Sequence, residues 1–540
     1  MSNEQKIKQK AHKGYHVLES EANSDSNDLS NYGSGNVAAR RVTLDEASEG
    51  ESQKVEMDVD DVLDNLDLGY FHYRLLLICG LCYCADAVEI GFLSYASLCI
   101  GDEWSLNAFE ASSITACLFF GSLVGNVFVW QRIADTYGRR PACILGNFLV
   151  LFFGLCTIIA PNLIALLCIL FITGIGVGSV FVPFDLLAEF LPAKQRGNFL
   201  TNINYFWTAG SLFVSVGAWC VISWGGWRAL AVVVAAPMLL SLALTICFIP
   251  ESPRWLLLQG EPVAAKEVIL QVADVNQTTL PPFYFPDKST NIDSDEASAA
   301  SHVWSEIMCS PIYRWVTIKL MLLSFAWGLS YYAVVLLISR LYSDDDEVDT
   351  DSSSSSSGNN EEKETLTFNY EDIFLNALCE LLGIFLTAHI IDRLGRQKSQ
   401  AWLYGLGALS HVLTAWFYHD EIARNIFAAM SRICIIGACS VTVVMTPELY
   451  PTSLRVGGHA LANSASRVGS ILAPFLAQNM TMSVASICVI LAVVDVTAAL
   501  LAFTLPETSG RTLETKPMTA AEEVQNMVDQ DCPNIPSRQL

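Results

Sequence analysis

Charged side chains are scarce in this chain: they make up 16% of its 540 residues, against about 25% in soluble domains. Those present crowd into a few segments. Between them lie apolar runs of about 20 residues, the length a helix needs to cross a bilayer core of roughly 30 Å. An ordinary soluble domain is excluded. Basic residues are scarcer still, with 31 Lys and Arg against 55 Asp and Glu, for a formal net charge of −24. No basic stripe is available to neutralise phosphates, so nucleic acid is not an expected partner. Much of the acidic excess sits in the N-terminal tail and in 343–364, and it says little about partners.

Other absences narrow the reading further. Residues 1–67 are polar and acidic with no apolar leader region. The first hydrophobic helix is therefore expected to act as the insertion signal and to stay in place. The 16 cysteines fall mostly inside apolar runs, as at Cys79, Cys82, Cys84, Cys168 and Cys439. They do not form two CxxC pairs at zinc spacing, and they read as small core- or lipid-facing residues, so no metal is expected. No nucleophile, base and oxyanion set lies on a loop. Neither an enzyme nor a cofactor is expected.

What is present is a series of apolar spans. Hydropathy places them near 72–98, 109–131, 142–160, 163–190, 198–224 and 228–250, and again near 312–338, 370–391, 399–418, 424–447, 457–480 and 484–505. The expected domains are an acidic disordered tail 1–71, a six-helix bundle 72–250, a connector 251–311, a second bundle 312–510 and a tail 511–540. Lys and Arg placement sets the orientation. Alternate loops hold Arg132, Arg139, Arg140, Lys194, Arg196, Arg393, Arg396, Lys398 and Arg455, whereas the opposite loops hold Arg228, Arg340, Lys363 and Arg424. Both termini are thus expected in the cytoplasm. The external loop 340–367 is acidic and low in complexity, so it is expected to be disordered. The connector is expected to be cytoplasmic and partly helical, from EPVAAKEVILQVAD.

The two halves repeat one another. Asp135-Thr-Tyr-Gly138-Arg139-Arg140 returns as Asp392-Arg393-Leu-Gly395-Arg396-Gln397, 257 residues later. Glu189-x-x-Pro192-x-x-x-Arg196 returns as Glu448-x-x-Pro451-x-x-x-Arg455 after 259, and Pro250-Glu251 echoes Pro506-Glu507 after 256. Six spans per half mean that both halves enter on one side. The repeats are parallel, as in the two halves of major facilitator transporters, whose substrate site lies between them at the midplane. Each repeated piece puts a carboxylate and an arginine at a cytoplasmic helix end, where bidentate pairing is available. Such sets are candidates for a gate that latches the inner face; the plainer alternative is positive-inside topology alone.

Ionisable residues inside spans mark function, because a charge at mid-bilayer costs about 2.5–3.5 kcal/mol on insertion scales. Asp86 and Glu89 in CYCADAVEIGFLS are three apart and share a helix face. Glu380 in NALCELLGIF comes from the second half. The three are expected to face a wet cavity between the halves, favouring cationic substrates, proton exchange or both; structural helix-to-helix hydrogen bonding is the alternative. Asp495 reads as peripheral or as a helix contact, Asp185 is left open, and His389 reads as an inner-interface residue. The aromatics Phe206, Trp207, Trp327, Tyr331 and Tyr332 are candidates for a cavity wall that holds cations or planar rings, or for ordinary packing. The run GIGVGS at 174–179 is read as permitting close helix packing.

Residues 68–513 resemble the family of the synaptic vesicle glycoprotein 2 proteins and the synaptic-vesicle-two-related proteins, within the major facilitator superfamily. The similar stretches include ADAVEIGFLS, DTYGRR, AEFLPAKQRG, FWTAG, GWRAL, PESPRWLL, SYYAVVLL, IIDRLGRQK, TPELYPTSLR, SRVGSILAPFLAQ and LPETSGRTLE. The resemblance implies an all-α membrane protein of twelve transmembrane helices in two parallel six-helix repeats. It also implies transport of small organic molecules, with organic cations, nicotinate-like acids or sugars carried by different relatives. By position, Asp86, Glu89 and Glu380 match that family's acids. Trp130 or Gln131 stands where a glycine is expected, which puts close packing of the second span on the eleventh in question. The outer loop lacks a glycosylation sequon, and that of Asn479 hugs the membrane, so no glycan is expected there. The expected function is proton-coupled, alternating-access transport of a small organic ion by a monomer in a vesicle or plasma membrane. A sugar facilitator and a non-transporting trafficking protein are the alternatives; the first predicts paired amides in the seventh span, which has none.

Overall fold

The structure is a computed structural model that describes residues 55–56, 59–66, 68–192, 196–285, 307, 311–341, 369–450, 455–478 and 482–508. The expectations for the N-terminal tail before 55, the outer loop beyond 341, the Asn479 sequon and the C-terminal tail lie outside those residues, as does most of the connector beyond 285. One small unit carries a two-stranded parallel ladder in which Val55 and Glu56 pair with Phe283 and Tyr284. The second unit is helical and contains everything that follows.

Twelve long helices are present among the described residues. The first half holds α1 (Tyr70–Glu103), α2 (Ala108–Tyr137), α3 (Arg139–Ile159), α4 (Leu163–Phe190), α5 (203–225) and α6 (226–248). The second holds α7 (Pro311–Leu341), α8 (Tyr370–Leu394), α9 (Arg396–Trp416), α10 (Glu421–Glu448), α11 (Arg455–Ala477) and α12 (Val484–Ala502). Between α5 and α6 the backbone turns without a loop at Gly226, where φ is 63°. Among the described residues nine stretches are apolar and long enough to span a membrane, α5 and α6 counting as one. The two helices that fall short owe it to buried polar residues, Gln400 and His411 in α9 and Asn463 and Arg467 in α11. Helix bounds depart from the expected spans mainly at the ends; α1 runs to Glu103 rather than 98.

Helix starts carry their own caps, because the first N–H groups have no partner within the helix and none in lipid. Asn107 and Glu110 reciprocate across the start of α2 at 2.9 and 3.0 Å. Asn162, Asp420 and Ser483 cap α4, α10 and α12. In the connector, Pro253–Leu258 and Pro262–Asn276 are helical. The second docks on α1, where Asn276 Oδ1 accepts from the Phe71 N–H at 2.9 Å.

Within the halves α1 packs on α5, α2 on α4, α7 on α11, and α9 on α10 and α12. The α2–α4 contact is backbone to backbone: a side chain at Gly121 or Gly174 would run into the opposite carbonyls of Phe171 or Leu118. GIGVGS is thus a packing run. Across the halves α2 meets α11 and α5 meets α8. The replaced glycine near 130 does not prevent the α2–α11 contact. A π-helical stretch, Gly125–Trp130, turns Trp130 into its own half, where the indole N–H donates to the Ile175 carbonyl at 2.5 Å.

Candidate functional site

The repeated loop motifs build the same cluster twice. Gly138 (φ 106°) joins α2 to α3 and Gly395 (φ 83°) joins α8 to α9. At each turn the following N–H groups donate to a carboxylate from the end of the half. Arg139 N–H bonds Glu251 at 2.8 Å and Arg396 N–H bonds Glu507 at 2.8 Å. Any side chain in place of either glycine would strike that carboxylate. The Arg139 guanidinium reaches Asp135 at 2.8 Å and Glu189 at 3.3 Å; Arg396 reaches Glu448 at 3.3 Å. Arg140 donates to the Ile246 carbonyl, and its counterpart Gln397 to those of Phe503 and Leu505. These bonds all lie within one half, so each cluster ties together the helices of its own bundle. The side chains of Arg196, Asp392 and Arg455, and any pairing across the halves through them, lie outside the described residues; Arg393 is exposed.

At mid-membrane the three acids are buried, at 5% exposure for Asp86, 1% for Glu89 and 0% for Glu380. They do not form one carboxylate cluster. Glu380 on α8 accepts from Arg432 Nε on α10 at 2.8 Å and from the Tyr331 hydroxyl on α7 at 3.0 Å. That hydroxyl in turn accepts from the Trp207 indole on α5 at 2.6 Å. A continuous chain, Trp207–Tyr331–Glu380–Arg432, therefore crosses from the first half into the second. Glu89 instead sits against Gly154 of α3, with Oε1 buried and without a hydrogen-bond partner. Asp86 on α1 and Arg467 on α11 are both buried, one in each half. Arg467 donates a long bond, 3.5 Å, to the Tyr332 hydroxyl.

The aromatics surround this network. Tyr332 lies 4.5 Å from Phe119, 5.2 Å from Tyr331 and 6.5 Å from Trp327, centroid to centroid, and Trp207 lies 6.5 Å from Tyr83. Outside it, Asp495 is a helix contact rather than a peripheral residue: Ser330 Oγ donates to it at 2.6 Å and His411 Nε2 lies 3.4 Å away. His389 is exposed and donates from Nδ1 to the Phe385 carbonyl at 2.9 Å. Asp185 on α4 is exposed.

Arg432 and Arg467 are the residues that a search for buried acids overlooks. The signal was there, since each arginine interrupts an apolar span, SRICIIGA and SASRVGSI, and a buried arginine demands a partner as much as a buried carboxylate does. Counting them changes the electrostatics: two arginines join the three buried carboxylates, and one of them, Arg432, is paired with Glu380.

The two ends of the bundle differ. At the end away from the repeated motifs the halves touch: Ser339 donates to Ser94 at 3.2 Å, Gln478 donates to Ser97 at 2.6 Å, and Phe109 stacks on Phe475 at 5.3 Å. Toward the motif end a crevice of about 50 Å³ lies between Asn202 and Tyr205 of the first half and Thr387 and Ser440 of the second.

Comparison with known proteins agrees with this architecture. The family model for "Sugar (and other) transporter" matches residues 94–518. The synaptic vesicle 2-related protein of Rattus norvegicus is 31% identical over 84% of this chain and 82% of its own. The organic cation/carnitine transporter 7 of Arabidopsis thaliana is 29% identical over 86% of this chain and 97% of its own. Among solved structures, the inward-open xylose transporter XylE of E. coli covers 84% of this chain and 99% of its own, at 17% identity and TM-score 0.63. Twelve helices in two repeated halves, a doubled loop cluster and these matches together place the chain in the sugar (and other) transporter family of the major facilitator superfamily, alongside the synaptic vesicle 2-related proteins.

Proposed function

We propose that this chain is a proton-coupled secondary transporter of a small organic ion, working as a monomer by alternating access. The observation that carries the reading is the buried chain Trp207–Tyr331–Glu380–Arg432, which joins the two halves through side chains alone. The bond from Trp207 to Tyr331 crosses between the halves and can break and reform as bundles rock, while Glu380 and Arg432 stand behind it in the second half. Positive-inside placement puts the motif end in the cytoplasm, so the described arrangement is closed toward the outside. Asp86, Glu89 and Glu380 carry substrate or proton, with Trp207, Trp327, Tyr331 and Tyr332 as the wall. The clusters of Asp135, Gly138, Arg139, Arg140 and Glu189, and of Gly395, Arg396 and Glu448, keep each half rigid at the gate, together with Arg196, Asp392, Arg393 and Arg455. The relatives named for organic cations and for synaptic vesicles support a small organic solute and a vesicle membrane.

The test is uptake by proteoliposomes of the full chain across a panel of organic cations, organic anions and sugars, with and without a pH gradient. Glu380→Gln and Asp86→Asn are expected to insert normally and to lose gradient-driven uptake. Uptake of a sugar that ignores the pH gradient and survives both substitutions would establish the facilitator reading instead.

A further inference from the structure

The doubled loop clusters differ at one position. Arg140 and Gln397 occupy equivalent places, and each donates to carbonyls at the end of its own half. The Gln397 amide reaches two of them, Phe503 and Leu505, both at 2.7 Å. A neutral side chain is therefore enough to tie that turn to the last helix of the half. Arg140 makes one such bond, to the Ile246 carbonyl at 3.1 Å, although a guanidinium carries five N–H donors. The acids nearby are engaged elsewhere: Asp135 and Glu189 hold the Arg139 side chain, and Glu251 accepts from the backbone N–H groups of Arg139 and Arg140. Among the described residues no carboxylate pairs with the Arg140 side chain, which is exposed.

The halves also differ in packing at this place. α9 and α12 pack closely, whereas their counterparts α3 and α6 leave a groove of about 500 Å³. Ile144, Leu145 and Phe148 of α3 and Leu242 and Ile246 of α6 line it, with Arg140 at its end. Leu145, Phe148 and Ile246 are exposed, so the groove opens on the outer surface of the bundle. At 1.5 Å per residue, Arg140 and Phe148 stand about 12 Å apart along α3, within the roughly 15 Å of one leaflet. A second arginine, Arg74 on α1, lies over the Phe248 ring at 5.8 Å and adds positive charge to this end of α6.

We propose that the groove is a binding site for an anionic phospholipid, with the phosphate on Arg140 and one acyl chain between α3 and α6. A guanidinium suits phosphate because its N–H groups bond two oxygens at once. A zwitterionic headgroup brings its own ammonium, which leaves the charge of Arg140 and Arg74 unanswered. Under the orientation proposed above, the site lies in the cytoplasmic leaflet, whose surface is negative from anionic lipid. The second half lacks the charge, and its helices close the groove.

Native mass spectrometry of the purified full chain, titrated with phosphatidylglycerol or phosphatidylcholine of the same acyl chains, tests this. The unsubstituted chain is expected to retain phosphatidylglycerol about fivefold better, the gain for one arginine beside an anionic lipid. Arg140→Gln should lose that preference and Arg140→Lys keep part of it. In lipid-free detergent Arg140→Gln should unfold at the unsubstituted chain's temperature, since glutamine serves at position 397; this separates loss of the site from loss of the fold. Leu242→Trp fills the groove without touching the charge, and should weaken phosphatidylglycerol retention even if Arg140→Gln unfolds early. Gln397→Arg should gain no preference, for want of a groove. Equal retention of the two lipids by the unsubstituted chain, an unchanged preference in Arg140→Gln, or undiminished retention by Leu242→Trp would each overturn the assignment. So would a matching preference created by Gln397→Arg, which would make charge alone sufficient. Displacement of the lipid by an equal concentration of inorganic phosphate would show a free-anion site instead.

Discussion

Glu380 at 0% exposure and Arg432 at 4% persist in the membrane interior because each neutralises the other, with Tyr331 supplying a further donor. Breaking such a pair leaves a lone buried charge, typically destabilising by about 3–5 kcal/mol, whereas replacing both partners with apolar side chains is often neutral. Glu380→Leu is therefore expected to lower the thermal unfolding midpoint of the detergent-solubilised protein by more than the Glu380→Leu/Arg432→Leu double variant does. Equal destabilisation by the single and double changes would mean that the pair is not coupled. Under the proposed mechanism both variants are expected to lose uptake, because the Trp207–Tyr331–Glu380 chain is cut. At the same scale, Asp86 and Glu89 show the limit of helix periodicity. Three residues of separation put two carboxylates on one side of α1, yet neither joins Glu380, and Glu89 lies against Gly154 of α3 within its own half.

Among elements, the two loop clusters are the clearest product of the internal repeat. Gly138 and Gly395 adopt positive φ directly over Glu251 and Glu507, which accept from the N-terminal N–H groups of α3 and α9. The helix starts are anion sites, and the protein supplies the anions itself. Gly138→Ala and Gly395→Ala each combine backbone strain of about 1–3 kcal/mol with a clash against that carboxylate. The two are expected to lower thermal stability by similar amounts, since the local geometry is the same in both halves. A large effect at one position with none at the other, measured by the same unfolding assay, would contradict the structural equivalence. Between elements, α2 packs on α11 despite lacking the expected glycine, because the π-helical stretch Gly125–Trp130 redirects the bulky side chain toward α4.

For the whole molecule, the closed end is defined by Ser94 on α1 facing Ser339 on α7 at 3.2 Å, with Ser97 and Gln478 beside them. If transport requires the halves to part there, a covalent link must stop it. The Ser94→Cys/Ser339→Cys variant is expected to lose uptake on oxidation and to regain it with dithiothreitol, while either single substitution under the same oxidant stays active. Uptake that continues through the cross-linked form would rule out rocking about this end. The crevice on the opposite side, between Tyr205 and Thr387, is where the path opens under the same scheme.

Much of this was legible without coordinates. Twelve spans follow from apolar length, because lipid demands helices that satisfy their own backbone. The parallel repeat follows from three motifs at matched offsets, and in the structure Arg139 N–H bonds Glu251 as Arg396 N–H bonds Glu507. These are local or periodic properties, and a linear chain records them directly. Which buried charge faces which could not be read in the same way. Arg432 and Glu380 are 52 residues apart, and Trp207 and Tyr331, which bond across the halves, are 124 apart. Pairing between helices depends on their rotation and crossing, set by the sum of many packing contacts rather than by any one segment. The sequence alone therefore determined that the chain is a two-half membrane carrier with acids in its core, and only the tertiary structure decided that Glu380 is matched by Arg432 while Glu89 keeps an oxygen without a hydrogen bond, because helix rotation sets which side chains meet.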